Sequence, residues 1–199
     1  MGCLKKIIKI SIIVLAIIGF VTIGGKDYFV GLWNNWFNPP QDVMQKRAKE
    51  VADFSKVSDE FKLDKATNAF GYNCVLAEHK STGQKIIVLD SGIKPILTTK
   101  DFKDGKVDKK LTDLTKHFKY KVVSVDNFKI TKRGTMTAFG NPAPYVRFNA
   151  VATHVPGGNV TGVISAVKTK SGKDRVLVSV NEKNKFSQLI AEDFFRNVK

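Results

Sequence analysis

The side chains that could do chemistry are scattered along the chain. His79, His117 and His154 are each isolated, with no second metal-type ligand at helical or short spacing. The pair Asp90 and Ser91 could serve a hydrolase, but Asp-Ser-Gly ordinarily forms a turn. The sequence contains neither a glycine-rich phosphate loop nor a nucleophile elbow. We therefore expect no catalytic residue, no metal site and no cofactor, with a hydrolase as the open alternative.

Two groups of residues are candidates for binding a partner. Phe139 lies in the turn-rich segment 135–144, which could present its ring to another molecule. Tyr145, Arg147 and Asn149 alternate along a predicted strand and form one outward polar row. Core packing for Phe139 and plain sheet surface for the row are the ordinary alternatives, and the sequence leaves them open.

These residues must be positioned by a domain over residues 41–199. An amphipathic helix is predicted over 41–54, and segments 71–79 and 84–90 are typical of a hairpin. Val107, Leu111, Leu114 and Phe118 recur at helical spacing and predict a second helix. A strand or strand pair is expected over 120–130.

The clearest β pattern lies near the C-terminus. Segments 145–155, 160–170 and 175–181 alternate apolar and polar residues and are separated by Gly-rich turns, which predicts three antiparallel strands. Asn184 can cap a final helix whose apolar stripe is Phe186, Leu189, Ile190 and Phe194. The grouped elements favour an α+β fold in which helices flank an antiparallel sheet.

The meander followed by a Phe-rich helix, residues 176–198, resembles the superfamily that holds the photosystem II extrinsic subunit P and a Ran-binding nuclear import factor. The resemblance covers residues 71–198 and is architectural, because no specific motif matches and no functional residue can be transferred. It implies a binding or assembly role without catalysis. A cystatin-like cone fold would account for the same pattern.

The N-terminal run 7–25 has nineteen residues, is dominated by aliphatic side chains and contains Lys9 as its single charge. At ~1.5 Å per residue, a helix of this length reaches about 28 Å, close to the hydrocarbon thickness of a bilayer. Lys5 and Lys6 precede the run, so the N-terminus should stay in the cytoplasm and the domain outside it. A cleaved signal peptide and a core helix are the alternatives, and the sequence does not settle whether cleavage occurs.

An aromatic segment follows the predicted anchor, over residues 26–40. Its rings recur largely on one helical face, and rings with a polar edge favour the headgroup level of a membrane. We therefore predict an interfacial belt formed by Tyr28, Phe29, Trp33, Trp36 and Phe37. Packing of these rings on the following domain is the alternative.

The chain is strongly basic. It has 33 Lys and Arg residues against 18 Asp and Glu, a formal net charge of +15, and lysine supplies 28 of the cations. Such a surface suits solubility or attraction to anionic polymers or headgroups, since arginine is the more usual residue for specific phosphate contacts. Nucleic acid is not expected as a partner, because no nucleic-acid motif occurs and the predicted orientation is extracytoplasmic.

The sequence thus predicts three parts: a basic tip and transmembrane anchor (1–25), an aromatic linker (26–40) and a basic globular domain (41–199). Cys3 and Cys74 should lie on opposite sides of the membrane, so no internal disulfide is expected. The favoured function is binding of a protein partner in the membrane or envelope. An anchored hydrolase, and a cytoplasm-facing domain that binds anionic lipid or nucleic acid, are the alternatives.

Overall fold

Seven strands and four short helices make up the part of the chain that the computed structural model describes, residues 41–69, 72–90, 95–116, 125–152 and 158–199. In chain order they are α1 (Gln41–Val51), β1 (Phe61–Ala69), β2 (Tyr72–His79), β3 (Lys85–Asp90), α2 (Thr99–Lys103), α3 (Val107–Lys116), β4 (Val125–Ala138), β5 (Asn141–Ala152), β6 (Asn159–Lys168), β7 (Asp174–Glu182) and α4 (Gln188–Asn197). All seven strands belong to one antiparallel sheet, in the order β1-β2-β3-β7-β6-β5-β4.

The predicted α+β class is wrong, because the described residues are mostly sheet and the fold is closer to all-β. Two strands, β1 and β4, contain sheet residues that the sequence did not predict. β1 was not predicted as a strand, since a half-polar edge strand lacks a strong apolar pattern. β4 runs without a break through residues that the sequence assigned to a strand and a separate loop.

Several predicted elements are confirmed. β2 and β3 form the expected hairpin, and β5, β6 and β7 form the expected antiparallel meander. Helices α1, α3 and α4 lie within or close to the predicted ranges. The predicted cap and stripe of the last helix are partly wrong: α4 begins after Ser187 instead of Asn184, and Leu189 is 76 % exposed on its outer side.

Each face of the sheet carries a pair of helices, because successive strand residues point to opposite sides. On β7, Leu177 packs on the side of α1 and α4, whereas Val176 and Val178 pack on the side of α2 and α3. We call these sides the α1/α4 face and the α2/α3 face. Phe194 and Phe195 of α4 are the largest fully buried side chains of the first.

The start of α4 is held to the sheet by Gln84, which is completely buried. Its Oε1 accepts a hydrogen bond from the Ser187 backbone N–H at 2.8 Å, and its Nε2 donates to the Ser187 carbonyl, also at 2.8 Å. The same Nε2 donates to Ser179 Oγ on β7 at 2.8 Å. Ser187 makes no side-chain cap of its own, so Gln84 fixes where the helix begins.

The end of α1 is held by a buried ion pair between neighbouring strands. Arg175 of β7 lies opposite Asp90 of β3, with Nη1 2.9 Å from Oδ1 and both side chains less than 10 % exposed. Arg175 Nε also donates to the Val51 carbonyl at 3.1 Å, where α1 ends. Burial lowers the pKa of Arg175 and the Asp90 charge opposes that shift, so the guanidinium stays protonated.

The ion pair gives a stability prediction. The variant Arg175→Met should lose about 3–5 kcal/mol in the free energy of unfolding, because the buried Asp90 carboxylate loses its arginine counter-ion. Urea unfolding of the full chain in mild detergent measures this loss. The control Arg133→Met removes the exposed pair with Asp108 and should cost about 1 kcal/mol or less. Equal losses in the two variants would show that burial of the Arg175 pair is unimportant.

Candidate functional site

The predicted polar row lies on the α1/α4 face, but its three members have different surroundings. Tyr145 is buried at 5 % exposure, and its Oη accepts a hydrogen bond from Gln188 Nε2 at 2.8 Å. Its ring crosses Gly134 on β4, where an added Cβ would lie 2.7 Å from Oη. Tyr145 is therefore a core residue that positions the first turn of α4, and its predicted part in partner binding remains a prediction.

Beyond Tyr145, β5 continues past the first turn of α4 and its side chains become partly exposed. Arg147 is half-buried, and its guanidinium carbon lies 5.4 Å from the centre of the Phe186 ring. Contact with an aromatic face orients a guanidinium while leaving its edge able to donate hydrogen bonds. Phe186 itself packs partly against the core of this face.

Asn149 is the last member of the row, and a neighbouring strand orients it. Its Oδ1 accepts a hydrogen bond from Thr161 Oγ1 at 2.8 Å, and Thr161 is 1 % exposed on β6. This bond fixes the orientation of the amide, whose Nδ2 group can donate to a ligand. Asn149 therefore adds a hydrogen-bond donor to the surface.

Two lysines complete this region from the edge strand. Lys132 lies directly opposite Arg147 and Lys129 lies directly opposite Asn149, so all four side chains share one face. Both lysines are exposed. We call this group the basic half-face: Lys129, Lys132, Arg147, Asn149 and Phe186.

The charged side chains of the basic half-face are all hydrogen-bond donors. No carboxylate of the described residues forms an ion pair with Lys129, Lys132 or Arg147. Like charges on directly opposite strand positions destabilise a sheet, so Lys132 and Arg147 repel each other in the free protein. An anionic group placed between them would remove this repulsion and accept hydrogen bonds from three kinds of donor.

Phe139 is not on the surface. It is 7 % exposed and packs in the core of the α1/α4 face. Its φ of 51° and the φ of 70° at Gly140 form a two-residue turn between β4 and β5, closed by the pair Ala138 and Asn141. This placement gives Phe139 a structural role, and its predicted part in partner binding stays a prediction.

His79 is the one predicted chemical residue with hydroxyl neighbours in the described structure. Its Nδ1 lies 2.9 Å from Thr82 Oγ1 and 3.3 Å from Ser81 Oγ, and its Nε2 lies 4.0 Å from Glu60. The ring is buried and packs edge-on against Phe61. Two hydroxyls compete for one ring nitrogen within the β2–β3 turn, which is a turn-stabilising arrangement. A serine hydrolase instead needs one hydroxyl aimed at a substrate and a carboxylate within hydrogen-bond distance of the other nitrogen.

The described ranges contain neither a metal-binding cluster nor a membrane-spanning helix. No group of three His, Cys, Asp or Glu side chains among those residues is arranged to hold a metal ion. Within the same ranges, every helix is too short or too polar to cross a bilayer. The predicted anchor 7–25, the belt residues of 26–40, His117 and His154 lie outside the described residues.

Three members of the basic half-face were not predicted from the sequence: Lys129, Lys132 and Phe186. One register shift in β4, between Ile130 and Lys132, puts Lys129 on the same face as Lys132. Simple alternation would have separated them. Thr161, which orients Asn149, was also not predicted, because nothing in the pattern of β6 shows which β5 residue lies opposite.

Comparison with known proteins identifies no relative, since no protein-family model and no curated protein sequence matches the chain. The site must therefore be interpreted from its own geometry.

Cys74 gives a prediction that separates a buried thiol from a nucleophile. Burial raises the pKa of the Cys74 thiol from 9.0 to about 12, so the thiolate is almost absent at pH 8. Iodoacetamide should alkylate Cys74 at pH 8 only as fast as the protein unfolds, as measured by mass spectrometry of its peptide. Full alkylation in denaturant is the control.

The same shift predicts a pH effect on stability. The unfolded chain ionises above the ordinary thiol pKa while the folded chain stays protonated, so the contribution of Cys74 to stability is complete below pH 9 and is lost between pH 9 and about 12. Rapid alkylation of Cys74 under native conditions would contradict both statements.

Proposed function

We propose that this chain is a non-enzymatic binding and assembly protein, held at a membrane by residues 7–25, whose extracytoplasmic domain binds an acidic protein partner of the envelope. The basic half-face carries the proposal. It presents Lys129, Lys132 and Arg147, none of which forms an ion pair with a carboxylate of the described residues. The resemblance of residues 71–198 to a superfamily with binding and assembly roles supports the same class of function.

A protein partner is favoured over a lipid surface because two donors of the half-face have fixed directions. Arg147 is oriented by the Phe186 ring and Asn149 by its bond to Thr161. Lipid headgroups are attracted by diffuse lysine charge and require no such orientation. Oriented guanidinium and amide donors instead suit individual carboxylates at fixed positions on a protein.

Charge reversal tests the site. The double variant Lys132→Glu and Arg147→Glu should weaken co-purification of a stoichiometric partner with the full chain in mild detergent by about tenfold or more, because two attractive contacts become repulsive. The matched control is Lys170→Glu and Lys173→Glu, which changes the net charge equally in the exposed β6–β7 turn. Equal weakening in both doubles would indicate diffuse charge attraction and contradict a defined site.

Protease accessibility tests the location. A C-terminal tag should be digested in intact cells stripped of their outer layer, without detergent, if the domain is extracytoplasmic. A tagged cytoplasmic protein in the same cells is the control for intactness. Protection of the tag until detergent is added would overturn the proposed orientation and favour an anionic partner in the cytoplasm.

A further inference from the structure

The outer edge of β4 carries an inference that rests on the proposed function and specifies its partner. β4 is the last strand of the sheet, and its fourteen residues make it the longest strand in the described structure. From Lys132 to Ala138 its pairing with β5 is continuous, with no register shift. At ~3.3 Å per residue this regular stretch is about 23 Å long, enough for one added strand.

The turn between β4 and β5 determines which backbone groups face outward. Phe139 and Gly140 both have positive φ, as in a type I′ turn, and such a turn closes with hydrogen bonds between Ala138 and Asn141. Hydrogen-bonded and non-hydrogen-bonded pairs then alternate along the hairpin. The residues of β4 whose N–H and C=O point away from β5 are therefore Arg133, Thr135 and Thr137.

Two prolines of β5 agree with this assignment. Pro144 lies opposite Thr135 and Pro142 lies opposite Thr137. Proline has no N–H, so it is tolerated where a strand residue does not donate to its neighbour. The Pro144 carbonyl also accepts a hydrogen bond from Ser165 Oγ of β6 at 2.8 Å, which shows that it points away from β4.

In the described part of the chain, the outward groups of this stretch are available to a partner. No other described residue forms a backbone hydrogen bond with Arg133, Thr135 or Thr137 from outside the sheet. The usual protection of an edge strand consists of lysines, bulges and irregular backbone. In β4 these features are concentrated before Gly134: both register shifts, and Asn127 with a φ of 52°.

We propose that an extended acidic segment of the partner adds to β4 as an eighth strand along residues 132–138. Its backbone would pair with the outward groups of Arg133, Thr135 and Thr137. A carboxylate on the α1/α4 side of the added strand, directly opposite Lys132, would then contact this lysine and face the other cations of the basic half-face. The backbone bonds supply affinity, and the cations of the half-face select acidic side chains.

The probe for this proposal is a nine-residue fluorescent peptide that alternates Glu and Thr, so that its carboxylates share one face. Its binding to the full chain in mild detergent at low salt is measured by anisotropy. A fully N-methylated peptide of the same sequence keeps the charge but cannot donate backbone hydrogen bonds. It should bind at least about tenfold more weakly, because strand addition requires those donors.

The variant Thr135→Pro tests the edge from the protein side. It removes one outward N–H without removing a bond to β5, and Gly134 before it accepts the restriction that proline imposes on its neighbour. Binding of the peptide should fall about tenfold or more. The matched control Thr135→Val keeps the N–H and the β-branched shape and should bind as the wild type does.

The outcomes separate this proposal from the proposed function. In one outcome the two peptides bind equally well and lose binding only in the double variant Lys132→Glu and Arg147→Glu. This outcome would support an anion-binding site on the basic half-face and overturn strand addition. If neither peptide nor poly-L-glutamate binds, both strand addition and the proposed binding of an acidic partner are overturned. A dimer seen by sedimentation and abolished by Thr135→Pro, without peptide binding, would assign the edge to a second copy of this chain and overturn the acidic segment.

Discussion

Two buried polar contacts determine which part of the sheet the helices cover. Gln84 pairs with the backbone of Ser187 and so sets the first turn of α4, while Arg175 donates to the carbonyl of Val51 and so holds the end of α1. Buried amide and guanidinium groups are costly unless they are fully hydrogen-bonded, so each has essentially one acceptable arrangement. The helices are therefore fixed in place, and neither α1 nor α4 covers the end of the α1/α4 face beyond the first turn of α4.

The sequence predicted those elements whose side-chain pattern is unambiguous. Helix α3 follows from the helical spacing of Val107 and Leu111, and both side chains are indeed buried. Strands β6 and β7 follow from alternation between two Gly-containing turns. The fold class was wrong because edge strands are half exposed, so their pattern is weak, and β1 was missed for that reason. The segment 135–144 was assigned to a loop because of its glycine and prolines. It is in fact a hairpin in which Pro142 and Pro144 occupy positions that need no N–H.

The candidate site could be predicted only in part. Alternation placed Arg147 and Asn149 in one row, and the structure keeps them on one face. The neighbours that give the row its chemistry depend on distant pairing. Lys132 joins it by lying opposite Arg147, Lys129 joins it through the register shift between Ile130 and Lys132, and Phe186 reaches it because Gln84 fixes the chain at Ser187. A register shift moves every following side chain to the other face, and no residue pattern in β4 predicts such a shift. Sequence patterns therefore find rows of residues more readily than the surfaces those rows form.

The cations on the edge strand β4 disfavour pairing with a second copy of the chain and favour pairing with an acidic segment. A second copy of the chain adding antiparallel to β4 in a register that aligns the two Lys132 residues would bring like charges together on one face, and a domain with a net charge of +12 over residues 41–199 repels its own copies at longer range. An acidic segment meets neither obstacle and relieves the repulsion between Lys132 and Arg147. The stretch 134–138 lacks the usual edge protection, and it can remain open because the adjacent positive charge discourages self-pairing. The same charge that keeps the free edge from aggregating thus determines the kind of partner that can use it.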